Sequence, residues 1–359
     1  MARFFRNFNG LTILPIIVLT CFSLAILSPF GGNLLISQLF FVLAGFIIYF
    51  IFSQIDYTVH QHLTFFYYLI VIILLILTFF APQVRGSARW IEILGVRWQP
   101  SELVKPMLIL VFANFFSTSW SGNLKNLIIG FLLLILPLFL VFRQPDLGTA
   151  IIILGIWLGI VYASGLKTLV GFFGFLGGLL SLPLFSLFLK DYQKARIMSF
   201  LHPYLDPIGS GYHSIQAMIA IGSGSFLGKG LGEGTQSRLL FLPESHTDFI
   251  FASLVEDFGF LAGLIVILSY GFLLWRILDS SRRTKDHFAS LVLLGTFTQI
   301  FLQVLVNIGM NMGLIPITGI TLPLLSYGGS SVITTMLTLG IVGNISKNIR
   351  ENKAIDILR

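Results

Sequence analysis

The first group in this chain placed to do chemistry is an acid at a boundary. A polar interruption runs from Lys190 to Thr247 and closes on Pro243-Glu244-Ser245-His246-Thr247-Asp248, after which the chain turns apolar at Phe249. A carboxylate where an aqueous loop meets a membrane helix is well placed to act on a lipid-linked molecule. Two readings of Asp248 stand side by side. It completes a capping box with Ser245, satisfying that residue's backbone N–H, or it serves as a general base. A helix N-terminus favours its ionised form and lowers its basicity, while partial desolvation pushes the other way. His246 reads as a solvated loop histidine and is a second candidate base.

Three further groups carry charge into apolar surroundings. In Gln99-Pro100-Ser101-Glu102-Leu103-Val104-Lys105-Pro106, Pro100 suits a first helical turn, and Glu102 and Lys105 share a face at i, i+3. A kink is expected at Pro106, which cannot donate to the carbonyl of Glu102. Charges inside a span usually face a cavity or a partner, so the pair lines a substrate cavity or forms a structural ion pair. In Arg143-Gln144-Pro145-Asp146-Leu147-Gly148-Thr149, Asp146 is expected to cap the next helix and to pair with Arg143 across the turn. The guanidinium of Arg143 also suits phosphate oxygens. Glu256 and Asp257, two turns beyond Asp248, read as a proton site, a hydrogen-bonded core or a cation site.

These groups need elements to hold them, and the composition says which. Among 359 residues, 56% are hydrophobic and only 10% charged, which marks a polytopic membrane protein. Apolar runs fall at roughly 11–28, 33–55, 64–81, 100–116, 126–142, 147–163, 169–189, 249–275, 288–308 and 330–346. About ten spans put both termini on one side. The basic tail (Lys347, Arg350, Lys353, Arg359) and the 276–287 loop mark that side as cytoplasmic. The first run has no small-residue cleavage site after it and reads as an uncleaved helix. The lone cysteine, Cys21, excludes disulfides and a cysteine-rich metal site.

On this topology Arg85, Arg89, Arg97, Arg143, Lys190, Lys194, Arg196, Lys229 and Arg238 all fall on the outer face. Orientation does not need them there, so they point to an anionic ligand outside or to loop charges paired with Glu92, Asp191, Asp206 and Glu233. The net charge of +7 is dispersed over short loops and is not a nucleic-acid footprint. The glycines at 222, 224, 228, 230, 232 and 234 do not match a dinucleotide fingerprint, since Leu227 stands where a third glycine would be needed. They imply close-packed or re-entrant backbone, with a short interfacial helix over 215–221. The stretch from Asn311 to Ser331 is apolar but broken by Pro316, Gly319, Pro323, Gly328 and Gly329, and Leu322 to Ser331 within it reads as an outer re-entrant turn leading into the last span.

Taken together, Gln99-Pro100-Ser101-Glu102 with Lys105, Arg143 to Thr149, Pro243 to Phe251 and Leu322 to Ser331 resemble the SEDS family (shape, elongation, division and sporulation) over nearly the whole chain. Tyr212 to Gln216, Gly234 to Ser237 and Asn307 to Asn311 are most similar to its elongation members. The resemblance implies an all-α polytopic fold, one domain over 1–359 with a large extracytoplasmic loop at 190–248. It also implies a bacterial plasma-membrane glycosyltransferase that polymerises lipid II outside the cell, beside a class B penicillin-binding protein. Asp248 matches the family's essential outer acid, and Glu102 and Lys105 its polar pair. The candidate substrate-contacting set is Glu102, Lys105, Arg85, Arg89, Arg143, Arg196, Lys229, Arg238 and Ser330. In that chemistry Asp248 deprotonates a sugar hydroxyl, and the outer cations stabilise departing undecaprenyl pyrophosphate. A divalent cation, Mg or Mn, would serve the same end, although no residue set is assigned to it. Two departures stand out: Glu256-Asp257 where two glutamates are common, and Ser225 where glycine is usual. A lipid-precursor flippase, needing charges along Glu102, Lys105, Glu256 and Asp257, and a non-catalytic scaffold remain as alternatives.

Overall fold

The computed structural model describes residues 10–81, 89–93, 96–119, 124–165, 191–206, 211–239 and 241–358. Its helices are α1 (Gly10–Leu27), α2 (Gly32–Gln54), α3 (Tyr57–His62), α4 (Thr64–Leu77), α5 (Pro100–Ser119), α6 (Leu124–Arg143), α7 (Leu147–Ala163), α8 (Asp191–Leu201), α9 (Tyr212–Ser223), α10 (Thr235–Arg238), α11 (Ile250–Arg283), α12 (His287–Asn311) and α13 (Gly329–Leu358). One hairpin, β1 (Ile91–Ile93) with β2 (Val96–Trp98), precedes α5.

Seven of the described helices are long and apolar enough to cross a membrane, namely α1, α2, α5, α6, α11, α12 and the Gly329–Ile349 part of α13. Thr64–Phe80 and Leu147–Ala163 are shorter apolar helices. These nine coincide with nine of the expected runs, and the run at 169–189 lies outside the described residues. This is a multi-pass membrane protein. In α13, 83% of the apolar window is buried, against 28% in α2 and 22% in α6, so α13 is central and the others turn faces outward. The outward faces carry Ile36, Phe40, Leu43 and Ile47 on α2 and Leu132, Leu136 and Phe139 on α6, all exposed. In a bilayer these meet acyl chains, so their exposure costs nothing.

Local chemistry sets the helix ends. Asp146 accepts from the backbone N–H of Thr149 at 3.2 Å and caps α7 as expected. Asp56 and Asp286 cap α3 and α12 in the same way. Helix α5 continues through Pro106, which lies inside it. The long polar stretch is not an open loop: α8, α9 and α10 fold within it, and α9 covers the expected interfacial helix.

The break in α11 is the fold's most informative irregularity. Gly259 sits at φ +79 inside the helix, and Gly228 of the glycine-rich loop at φ +86 presses against it. A Cβ on Gly259 would come within 2.3 Å of the Gly228 nitrogen, so neither position admits a side chain. The amides freed by the break are satisfied by that loop, Phe260 N donating to Ser225 O at 3.0 Å and Leu261 N to Phe226 O at 3.3 Å. The glycine run is close-packed backbone, as its composition implies. Ser225 occupies a left-handed conformation at φ +50, which explains why glycine suits this position.

The later part of the irregular segment 312–328, between α12 and α13, is covered by protein, while Met312 and Leu314 are exposed. Leu322, Leu324, Leu325 and Ser326 are buried, and the Ser326 hydroxyl accepts from Leu322 N at 2.8 Å. Gln38 reaches this turn from α2, its amide nitrogen donating to Ser326 O at 3.3 Å and its amide oxygen accepting from Gly328 N at 3.3 Å. Non-helical backbone at membrane depth is tolerated only under such cover.

Candidate active site

Asp248 stands one residue before the cap of α11, which is Phe249 and makes no side-chain capping bond. The capping reading is therefore overturned. Among the described residues, the Asp248 carboxylate accepts no hydrogen bond, whereas its backbone is fixed from two sides. Asn307 and Asn311, one turn apart on α12, both donate to the Asp248 carbonyl, at 3.0 and 3.1 Å. Asn307 also donates to Ile320 O at 2.7 Å, and the Asn311 amide oxygen accepts from Ala252 N at 3.1 Å. The neighbouring carbonyls are held as firmly. Ser253 donates to Ser245 O, Tyr327 N to His246 O and Ser326 to Thr247 O, at 3.0, 2.9 and 2.7 Å. The loop is locked, and its acid is left available.

The carboxylate faces the irregular segment, where a Cβ on Gly319 would stand 3.5 Å from it. Asp248 keeps part of its surface open but is closely enclosed by protein, and this enclosure dominates its acidity. Burial first, and then the charge of Glu244, push its pKa up from 3.8 to about 6, against the opposing pull of Arg196 and Arg89. A base in that range is mostly ionised at neutral pH and still holds a proton usefully.

Arg196 extends from α8 and donates to Ile317 O at 3.2 Å, beside the segment that Asp248 faces. Arg89 lies 3.9 Å from Asp146, so Asp146 pairs with Arg89 and not with Arg143, which is exposed at the end of α6. Asp146 is buried and well satisfied, accepting from Gln99 at 3.0 Å, Ser101 at 3.4 Å and the Thr149 hydroxyl at 3.0 Å as well as from the cap amide. Helix starts α5 and α7 are thereby tied to the hairpin. Ser330 belongs to the same junction, its hydroxyl accepting from Gln99 N at 3.0 Å. Glu244 and His213 are site residues that sequence reasoning did not single out as such. His213, on α9, packs its ring 6.3 Å from Phe249, and burial followed by the charge of Arg196 lowers its pKa.

The remaining described candidates are engaged by other partners. Lys105 Nζ donates to Glu102 Oε1 at 2.7 Å, and both are buried in the helix bundle. Lys229 pairs with Glu256 at 3.0 Å. Glu256 also accepts from Gln236 N at 2.9 Å and from the amide and hydroxyl of Ser237 at 3.1 and 3.0 Å. Asp257 accepts from Gly232 N and Gly234 N, each at 3.2 Å. Of the three readings of this acid pair, the hydrogen-bonded core is the one observed, and it clamps the glycine loop onto α11. Arg238 lies over the Phe30 ring at 5.0 Å and donates to Pro29 O. Arg97 faces Glu92 across the hairpin at 4.0 Å. Arg85 and Lys190 lie outside the described residues. Among the described residues no three His, Cys, Asp or Glu side chains converge on one point.

Known proteins match this architecture. The family model for FtsW, RodA and SpoVE, described as cell cycle protein, matches residues 2–351. The chain is 43% identical over 263 residues to the peptidoglycan glycosyltransferase MrdB of Escherichia coli K12, covering 73% of this chain and 71% of that one. With MrdB of Helicobacter pylori it shares 37% over 355 residues, 96% and 91% of the two chains. One solved structure, described as the structural coordination of polymerization and crosslinking by a peptidoglycan synthase complex, superposes with a TM-score of 0.80 at 27% identity, covering 95% and 97%. The rod shape determining protein RodA of Thermus thermophilus shares the fold, with a TM-score of 0.72 at 24% identity over 94% and 96% of the chains. The chain belongs to the FtsW/RodA/SpoVE family of membrane proteins.

Proposed function

We propose that this protein is a peptidoglycan glycosyltransferase of the elongation type and that Asp248 is its general base. The observation that carries this reading is the combination at Asp248: a rigidly held backbone, a carboxylate with no hydrogen bond among the described residues, and a pKa raised to about 6. Structural acids in this chain look different. Asp146, Glu256 and Asp257 all have their oxygens taken up by internal donors.

In the reaction, Asp248 takes the proton from a sugar hydroxyl of one lipid II-derived chain as that oxygen bonds to the anomeric carbon of the other. The bond from that carbon to the pyrophosphate oxygen breaks, and undecaprenyl pyrophosphate leaves. Arg196 and Arg89, the two cations whose fields reach Asp248, stabilise the charge that develops on the pyrophosphate. Asp248 then returns its proton to water.

The site lies on the outer face. Helices α11 and α13 both begin near the Asp248 loop; α11 ends on Arg282 and Arg283, and α13 carries Lys347 beyond its apolar part. Positive segments favour the cytoplasm, which supports an outer Asp248 with both termini inside. There the glycan is handed to a class B penicillin-binding protein for crosslinking. A flippase reading loses two of its four path charges, since Glu256 and Asp257 are engaged by the glycine loop. The test is polymer formation from labelled lipid II by the purified protein with a partner whose crosslinking site is inactivated. Glycan polymer is expected, and none from a folded, partner-bound protein would overturn the assignment.

A further inference from the structure

Next to Asp248 lies an assembly of rings that the chemistry above does not use. The His246 ring, two residues before the base, stands 5.8 Å from the Tyr327 ring and 6.1 Å from the Phe30 ring. The Arg238 guanidinium lies over Phe30 at 5.0 Å, and Gly232 closes behind it, its position leaving only 2.7 Å between a Cβ and that guanidinium. Four remote stretches therefore converge: the turn after α1, the end of α10, the Asp248 loop and the turn before α13. All four side chains are partly exposed. Their backbone is fixed, with Tyr327 N donating to His246 O at 2.9 Å, and among the described residues the Tyr327 hydroxyl makes no hydrogen bond.

We infer that Phe30, His246, Tyr327 and Arg238 form a shelf that holds the sugar rings of the growing glycan between rounds of addition. The inference rests on the glycosyltransferase reading. A pyranose ring presents an apolar face of axial C–H groups and a polar rim of hydroxyls. Partly exposed aromatic rings beside a hydroxyl and a guanidinium match both surfaces at once. The division of charge supports this occupant. The cations acting on Asp248 come from the hairpin flank and α8 and suit a pyrophosphate, whereas the shelf is built of rings whose one cation already lies over Phe30. An acyl chain is excluded by the same mixture of polar groups. The shelf retains a polymer by contacts that do not change during bond formation, so it governs chain length more than the chemical step.

The test is glycan length from labelled lipid II, using the full chain with its partner's crosslinking site inactivated. Tyr327→Leu and Phe30→Leu are each expected to shorten the product several-fold, with a smaller fall in the initial rate of lipid II consumption. Tyr327→Trp, which keeps a ring, should restore most of the length. Unchanged length in either folded leucine variant would overturn the inference, as would a rate loss equal to the length loss. If Tyr327→Leu fails to fold, Phe30→Leu at its exposed turn decides alone. A wild-type protein that makes no polymer would instead refute the glycosyltransferase reading.

Discussion

The acidity of Asp248 is set by identifiable neighbours, so it can be moved in both directions. Its pKa rises from 3.8 to about 6 because burial penalises the charged form and Glu244 adds to that penalty, while Arg196 and Arg89 oppose it. If the ionised form is the base, log kcat/KM for polymerisation falls by about one per pH unit below about 6. Replacing Glu244 with Gln removes one negative charge but keeps an acceptor for the Thr247 hydroxyl, now 3.1 Å from Oε2. The acid limb should then move down by about 0.5–1 pH unit. Arg196→Gln removes an opposing charge and should move it up by about the same amount, whatever it does to the maximal rate. The linked stability has a definite sign. The folded state binds this proton more tightly than the unfolded chain, so stability is fullest below about pH 4 and is lost as pH rises through about 6, by roughly 3 kcal/mol at most. The assay is initial rate against pH for the three proteins, with detergent-stable fold checked at each pH. A limb near 4 in the wild type, or movement of both variants in one direction, would refute the reasoning.

Two further predictions concern the scaffold. Glu256→Ala leaves Lys229, two backbone amides and the Ser237 hydroxyl without their acceptor, so about 3–5 kcal/mol of stability should be lost. Thermal unfolding of the purified variant reads that loss, and a melting temperature equal to wild type would contradict the clamp. Ser225→Gly should stabilise by about 0.5–1 kcal/mol, since it relieves the left-handed strain at φ +50 against a small gain in unfolded-chain freedom. A lower melting temperature in Ser225→Gly would show that the serine hydroxyl contributes more than its strain costs.

Much of this fold is legible in the sequence because a bilayer imposes a length on each apolar run. Helices α7 and α12, at Leu147–Ala163 and His287–Asn311, fall within a few residues of the expected runs. The caps at Asp146 and the i, i+3 pair of Glu102 and Lys105 follow from short-range rules and are present. What failed was tertiary choice. Arg143 and Arg89 are both available to Asp146, and only the fold of the hairpin decides for Arg89. The hairpin itself pairs only Ile91–Ile93 with Val96–Trp98, too short for a periodic signal. The role of Glu256 and Asp257 was undecidable from spacing, because the donors that satisfy them lie about twenty residues upstream in a loop whose docking depends on Gly228 meeting Gly259. Glu244 and His213 became site residues only once α9 and the Asp248 loop were placed together.

The central claim is that one carboxylate, whose backbone is held by Asn307 and Asn311 and which accepts no hydrogen bond among the described residues, removes the proton. Comparing polymer yield from labelled lipid II for wild type and Asp248→Asn, with unfolding temperatures measured on the same preparations, tests it most directly. The account predicts a loss of at least about 100-fold in rate, with a fold as stable as wild type or more so, because the buried charge is gone. Wild-type rates from a well-folded Asp248→Asn protein would contradict it and move the search for the base to Glu102 or His246.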